Sequence, residues 1–408
     1  MSLFSLRIKS YCLIYYILIP TLKSVVTKSK ILSLFFLVSA ALPLFAQDIE
    51  VEESWTARMW HKGIRLLTQP SKLVDSAYVY QVPYRWSFGV DNTQIFSTVD
   101  IQHDIQQTTL VEGESQSRHS HLAYHPYARM YDKVGASAGF GSLGVSYGVA
   151  LGDNPGQNKY FTFGLKGSYY SLQVQNYVVN EYVDGDLESD ALAEPLVFES
   201  DYPARMHSFS VDGFYAFNGR HFAYTAPYAG KMLQRRSAGS FLVAAKYLQG
   251  DLALDGNDSF VIALSNSLGR VETRQVSLGG GYSFNWVFLH RDPSDPVTGK
   301  GIRNLTLNVT ALPQASFYTT IDAFSYVNGQ PAEQTHIDGK LSMTLTGHAA
   351  LCYSWDRFSV NAQAHYNGFG FRGAQTLLWS DANRTRNEID TNALFQDVTV
   401  KVQFFVRF

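Results

Sequence analysis

The last twelve residues carry the clearest pattern in the chain. Val398, Val400, Val402, Phe404, Val406 and Phe408 alternate with Asp397, Thr399, Lys401, Gln403, Phe405 and Arg407. Side chains alternate faces along a strand, so one face here is wholly apolar and the other mostly polar. The same period of two recurs upstream. Leu341, Met343, Leu345, Gly347, Ala349, Leu351 and Tyr353 alternate with Ser, Thr, His348, Ala350 and Cys352, and Phe358 to Tyr366 alternate with Ser359, Asn361, Gln363 and His365. Leu305, Leu307, Val309 and Ala311 alternate with Thr306, Asn308 and Thr310, and a Gly-rich version runs from Ser142 to Leu151. The polar sets are hydroxyls and amides rather than charges. That suits a water-facing lumen behind a lipid-facing outer surface.

The pattern predicts an all-β fold, an antiparallel transmembrane β-barrel of about twelve strands. They span 84–101, 126–138, 142–151, 160–178, 206–217, 221–233, 238–250, 272–290, 303–323, 337–355, 358–372 and 393–408. A soluble sandwich or lipocalin-like barrel would also alternate. Strands of 12–20 residues, the terminal Phe408 and long polar loops such as Asn180–Arg205 favour the membrane. An even count puts both chain ends in the periplasm. Twelve strands in this partition put Asn218-Gly219 outside and the long 179–205 loop inside, against the usual arrangement. Splitting 84–101 and adding 258–266 gives fourteen and reverses both.

The chain start reads as an export signal. Lys28 and Lys30 precede the apolar run Ile31–Leu42, and Leu44-Phe45-Ala46 ends in a small residue. That order of charged, apolar and small residues predicts cleavage after Ala46, and the run is shorter than the roughly 20 residues of a spanning helix. A second apolar stretch, Tyr11–Leu22, suggests that the true start lies near Val26. Residues 47–83 form an N-terminal segment before the barrel at 84–408. Within it Trp55, Met59, Trp60, Ile64 and Leu67 fall on one helical stripe, which predicts a short helix over Glu52–Leu67 as a lumen plug or linker.

Composition fits this reading. The 27 Phe, 25 Tyr and 31 Gly sit beside only 17% charged residues, as a tilted, aromatic-coated barrel requires. Without residues 1–46, which hold five Lys/Arg and no acid, the chain has 28 basic and 35 acidic residues, a net charge near −7. That balance argues against a nucleic-acid partner. Only Cys352 remains, so there is no internal disulfide or cysteine-based zinc site.

Four groups of residues offer chemistry. Asn218-Gly219 suits a two-residue hairpin turn, which would pair Tyr215 with Phe222 and Gly213 with Tyr224. If Asp356-Arg357 is a two-residue turn, His348 lies directly opposite His365 on the lumen side. Two imidazoles there either hydrogen-bond in the lumen or share a transition metal. Glu181–Asp201 holds eight acids and no base, with Asp184, Asp186, Glu188 and Asp190 at alternate positions. Such oxygen ligands make a solvated acidic loop or a site for a divalent cation, including those that bridge lipopolysaccharide. His207 is the candidate catalytic base for a lipid hydrolase, but Ser208 and Ser210 face away from it.

Several segments resemble the bacterial family called domain of unknown function 4421. They are Tyr215-Ala216-Phe217-Asn218, Phe222-Ala223-Tyr224, Gln234-Arg235-Arg236-Ser237-Ala238-Gly239-Ser240 and Gly281-Tyr282-Ser283-Phe284-Asn285. Ala223 and Phe284 depart from the expected Ser and Tyr. The resemblance implies an outer-membrane barrel and carries no catalytic residues. Phe404, Val406 and Phe408 resemble the terminal signal read by barrel-assembly machinery.

The expected function is that of a non-enzymatic barrel of the Gram-negative outer membrane, without a cofactor, in a structural, envelope-maintenance or small-solute transport role. Its partners would be outer-membrane lipids, lipopolysaccharide and the assembly machinery. A lipid-modifying hydrolase and a docking platform for a surface or periplasmic partner are the alternatives. In the terminal strand, Lys401, Gln403 and Arg407 should face a wet lumen, so Arg407→Leu should be tolerated better than Val402→Arg.

Overall fold

The computed structural model describes residues 74–408 apart from 112–113, 152–157, 191, 200–201, 230, 254–267, 328–329, 339–341 and 380–384. The export segment, the helix expected over Glu52–Leu67 and the extra strand 258–266 lie outside the described residues.

Twelve strands close into an antiparallel barrel. They are β1 (Trp86–Val111), β2 (Glu114–Phe140), β3 (Leu143–Leu151), β4 (Lys159–Lys166), β5 (Tyr170–Glu181), β6 (Ala204–Ala216), β7 (Ala238–Ala253), β8 (Leu268–Arg291), β9 (Arg303–Val327), β10 (Ser342–Trp355), β11 (Phe358–Trp379) and β12 (Thr385–Arg407). Each pairs with the next in chain order, and β12 pairs with β1 from Arg407 opposite Ser87 to Thr385 opposite Thr109. Closure leaves the barrel wall without an unpaired edge at this seam.

The count of twelve stands, but two of its members change. The segment 160–178 turns at 167–169 and makes two strands, β4 and β5, which pair with each other. The segment 221–233 is not a barrel strand, and the Asn218-Gly219 hairpin does not form. Tyr215 pairs with Tyr170 and Val243 rather than Phe222. The amides of His221 and Phe222 both donate to the Asn218 carbonyl, which turns the chain inward. These changes also reassign the ends. The tight turns 141–142, 167–169 and 356–357, the inward segment 217–237 and the C-terminus share one end, called here the near end. The acidic segment 182–203 lies at the far end.

Alternation orders the wall as the sequence suggests. Phe241 and Met343, each 70% exposed, lie on the outward face with Val243, Leu278, Tyr282, Val402 and Phe404. The inward positions Ser283, Asn285, Thr306, Asn308, Thr310 and Asn361 are all buried. The inside is therefore a hydrogen-bonded polar core over much of its height rather than an open watery lumen. The acidic segment is not a free loop either. Val183–Ser189 pairs with Leu122–Ala128 of β2, above the point where the short β3 ends.

Candidate functional site: a plug and a basic lumen

The segment 217–237 leaves β6, enters the barrel and returns to β7. Phe222, Ala223, Tyr224, Tyr228 and Leu233 are buried, and Ala226–Ala229 forms one helical turn, α1. Met232–Gln234 pairs with Val79–Gln81, so the residues just before β1 join the plug.

Polar side chains of the wall hold the plug. Gln234 is 0% exposed and makes bonds through both ends of its amide. Its Nε2 donates to the carbonyls of His221 (2.6 Å), Arg236 (2.9 Å) and Tyr78 (3.2 Å), and its Oε1 accepts from Ala223 N (2.9 Å) and Asn285 Nδ2 (3.1 Å). Asn285 Nδ2 also reaches the Ala223 carbonyl at 2.9 Å. Tyr228 donates to Asn308 Oδ1 at 2.7 Å, and Asn361 Nδ2 donates to the Tyr228 carbonyl at 3.1 Å. Buried polar groups persist only when paired, and here the wall and plug pair one another.

The plug occupies the side of the barrel formed by β7–β11. Beside it runs a cavity of about 530 Å³. Its lining carries Arg85, Lys133, Lys166, Lys231 and Lys401 but a single carboxylate, Asp212. Asp212 is itself 3.6 Å from the buried ammonium of Lys246. Lys401 lies 3.3 Å from Asp91, and Lys231 donates to the carbonyls of Gly141 and Leu143. Lys133, 5% exposed, places its Nζ 3.2 Å from the centre of the Tyr160 ring. The side chain of Lys166 has no acceptor or carboxylate partner among the described residues. Phe214, Tyr224, Tyr228, Leu312 and His348 line the other side.

The family described as Domain of unknown function (DUF4421) matches residues 73–387. This chain belongs to the DUF4421 family. A search of curated proteins finds no match. Among solved structures the chain is similar to the outer membrane protein OprG from Pseudomonas aeruginosa, at 8% identity over 79% of this chain and 98% of that one, with a TM-score of 0.26. The outer membrane protease OmpT from Escherichia coli aligns at 10% identity, covering 78% and 97%, with a TM-score of 0.23. A FadL homologue from Pseudomonas aeruginosa aligns at 9% identity, covering 78% and 90%, with a TM-score of 0.21.

The residues that carry the DUF4421 resemblance gather at the plug and its supports. Gln234 and Asn285 are its buried anchors. Asn218 Nδ2 donates to the Gly239 carbonyl and Asn218 N to Ser240 Oγ, both at 2.9 Å, while Ser237 Oγ accepts from Val287 N at 2.9 Å. Ala238 starts β7, opposite Asn285. Gly281 is required by packing, since a Cβ there would collide with the Ala311 carbonyl oxygen. Tyr282 faces outward against Phe241, with ring centres 5.1 Å apart.

The remaining sequence candidates fall elsewhere in the DUF4421 barrel. His348 does lie opposite His365. The two rings stack at 4.1 Å with 15° between their planes, and Tyr224 and Tyr228 meet His348 edge-on. Ring nitrogens donate their lone pairs within the ring plane, so stacked imidazoles point side by side rather than at one shared ion. That geometry favours an aromatic wall over a metal site. His207 Nε2 donates to Asn176 Oδ1 at 2.8 Å on the outward face. Ser208 and Ser210 are buried on the inner face, so His207 has no hydroxyl beside it on its own strand face. Asp184, Asp186, Glu188 and Asp190 do not converge as a set of four. Asp186 and Glu188 meet His125 instead, each offering one ligand atom within 4.8 Å of the others, while Asp190 accepts the His121 amide.

The lumen lysines were within reach of the sequence pattern, because Lys133, Lys166 and Lys401 all hold inward positions of their strands. The net negative charge of the chain concealed them. Tyr224 and Tyr228 had no such signal, because the hairpin reading assigned their segment to the wall.

Proposed function

We propose that this DUF4421 protein is an outer-membrane barrel that binds small anionic solutes inside a plugged lumen and passes them across the membrane. The near end, with its tight turns and C-terminus, faces the periplasm in this reading, and the acidic far end faces outward. One observation carries the proposal: the cavity gathers cations with too few carboxylates. Among the described residues Lys133 and Lys166 have no carboxylate within ion-pair distance, and the one lining acid already serves Lys246. A charge enclosed in low dielectric is costly until an opposite charge arrives, so the unoccupied cations favour an anion over a neutral or cationic solute.

The outward apolar band supports residence in a lipid bilayer, and Phe404, Val406 and Phe408 support assembly by the barrel machinery. A hydrolase role finds less support, since His207 lacks a hydroxyl on its face.

The proposal is tested in planar bilayers under a potassium chloride gradient. The reversal potential should show chloride preferred over potassium. Lys133→Gln removes one cation without breaking an ion pair and should lower that preference by about threefold or more, the effect of losing one charge at several ångströms in a medium of effective dielectric about 20. Cation preference in the unaltered protein would overturn the reading.

A further inference from the structure

The cavity wall has two chemically different arcs. Strands β12, β2 and β4 contribute Lys401, Lys133 and Lys166. The arc from β6 to β11, with the plug, contributes Phe214, Tyr224, Tyr228 and His348. Tyr224 and Tyr228 stack on one another with ring centres 5.0 Å apart and 25° between planes, so the cavity meets their outer face and edges together with Phe214. Amides punctuate both arcs and the β5 strand between them: Gln173, Gln175, Gln314, Gln363 and Gln403.

The amides are unevenly used. Gln363 donates its Nε2 to Asn361 Oδ1 at 3.0 Å, and Gln403 donates its own to Ser137 Oγ at 2.9 Å. Each bond fixes the side chain and leaves the amide carbonyl without a protein donor among the described residues. Gln173 is half-buried and its amide has no protein partner among the described residues. The cavity thus offers acceptors that want hydroxyl donors, cations that want an anion, and an aromatic surface suited to the C–H face of a ring. A simple inorganic anion leaves the acceptors and the aromatic arc unused. A hydrocarbon tail would strand the amides, at about 1–3 kcal/mol for each one cut off from water.

We infer that the cavity takes an acidic saccharide, a hydroxylated ring bearing one carboxylate or phosphate. This rests on the anion reading above and narrows it. The anionic group meets Lys133, Lys166 and Lys401. The hydroxyls donate to Gln173, Gln363 and Gln403 and accept from the lysines. The ring's C–H face lies against the aromatic arc. At about 530 Å³ the cavity is in the range of small-ligand sites, roughly 300–1,000 Å³.

Isothermal titration of the full-length protein in detergent tests this with three probes: glucuronate, glucose and sulfate. Glucuronate carries both features, glucose only the hydroxyls and sulfate only the charge, with no hydrogen to donate. Glucuronate should bind at least tenfold tighter than either. Gln173→Leu breaks no protein hydrogen bond and should weaken glucuronate several-fold while leaving sulfate unchanged. Native folding of the variant is checked by its heat-modifiable mobility on gels. Equal affinity for sulfate and glucuronate would overturn the saccharide inference and leave the anion reading standing. Glucose as tight as glucuronate, or no binding of either anion, would overturn both.

Discussion

Replacing Gln234 with Leu is expected to release the plug and raise the conductance of the barrel. Gln234 satisfies five groups from a fully buried position. Leucine fills a similar volume but returns none of those bonds. The buried Ala223 amide and the half-buried His221 carbonyl would then lose these partners, and Asn285 would keep only its bonds to the Ala223 carbonyl and Asn308. Each loss costs about 1–3 kcal/mol, so the docked plug loses several kcal/mol in all. The wall does not depend on that docking, because its twelve-strand ladder closes through β1 and β12. Two measurements follow. Trypsin should cut the variant at Arg220, Lys231, Arg235 or Arg236 within the plug and spare the unaltered protein. Single-channel conductance should rise in the same preparation. A variant that resists trypsin and conducts as before would show that the plug holds without Gln234.

Arg407→Leu is expected to damage the barrel about as severely as Val402→Arg. The alternation of the terminal strand, taken alone, ranks them differently, because a water-facing arginine is easily replaced. Arg407 does face inward, but it is 0% exposed. Its guanidinium donates to the Asp356 and Phe358 carbonyls at 2.9 and 3.0 Å, bracing the β10–β11 turn against the terminal strand. Leucine would leave both carbonyls unpaired in a dry site, a loss of about 2–5 kcal/mol. Val402 is 52% exposed on the outward face, where an arginine costs about 2–4 kcal/mol near the middle of a bilayer. The folded fraction of each variant, read by heat-modifiable gel mobility across a urea series, checks this. Wild-type midpoints for Arg407→Leu would refute the bracing role.

The barrel was legible because period-two patterning is a local property. Val398 to Phe408, Leu341 to Tyr353 and Leu305 to Ala311 each declare their faces without reference to any partner. The Asp356-Arg357 turn could be read for the same reason, and it put His348 opposite His365. The Asn218-Gly219 turn misled because the alternating aromatics after it, Phe222 and Tyr224, suit a lipid-facing strand and a buried plug equally well. Periodicity does not distinguish lipid from a packed interior. What decides the outcome is a set of non-local amides, Gln234, Asn285, Asn308 and Asn361, whose pairing with the plug and its supports appears only once the sheet has closed. The enclosure of Arg407 is non-local for the same reason: alternation assigns a face, and only packing determines whether water reaches it.

The amide and hydroxyl interior has a thermal consequence. Heat capacity rises when apolar surface meets water and falls when polar surface does, and water-soluble domains gain about 12–15 cal/mol/K per residue on unfolding. In this barrel the two faces are exchanged. The wall encloses mainly Asn, Gln, Ser and Thr beside a small apolar plug, while the outward Phe, Val and Tyr stay covered by lipid or detergent whether the chain is folded or not. Unfolding in detergent therefore exposes polar wall and apolar plug together, whose contributions to heat capacity oppose each other. The curve of stability against temperature should be nearly straight, with no pronounced maximum and no return toward cold denaturation.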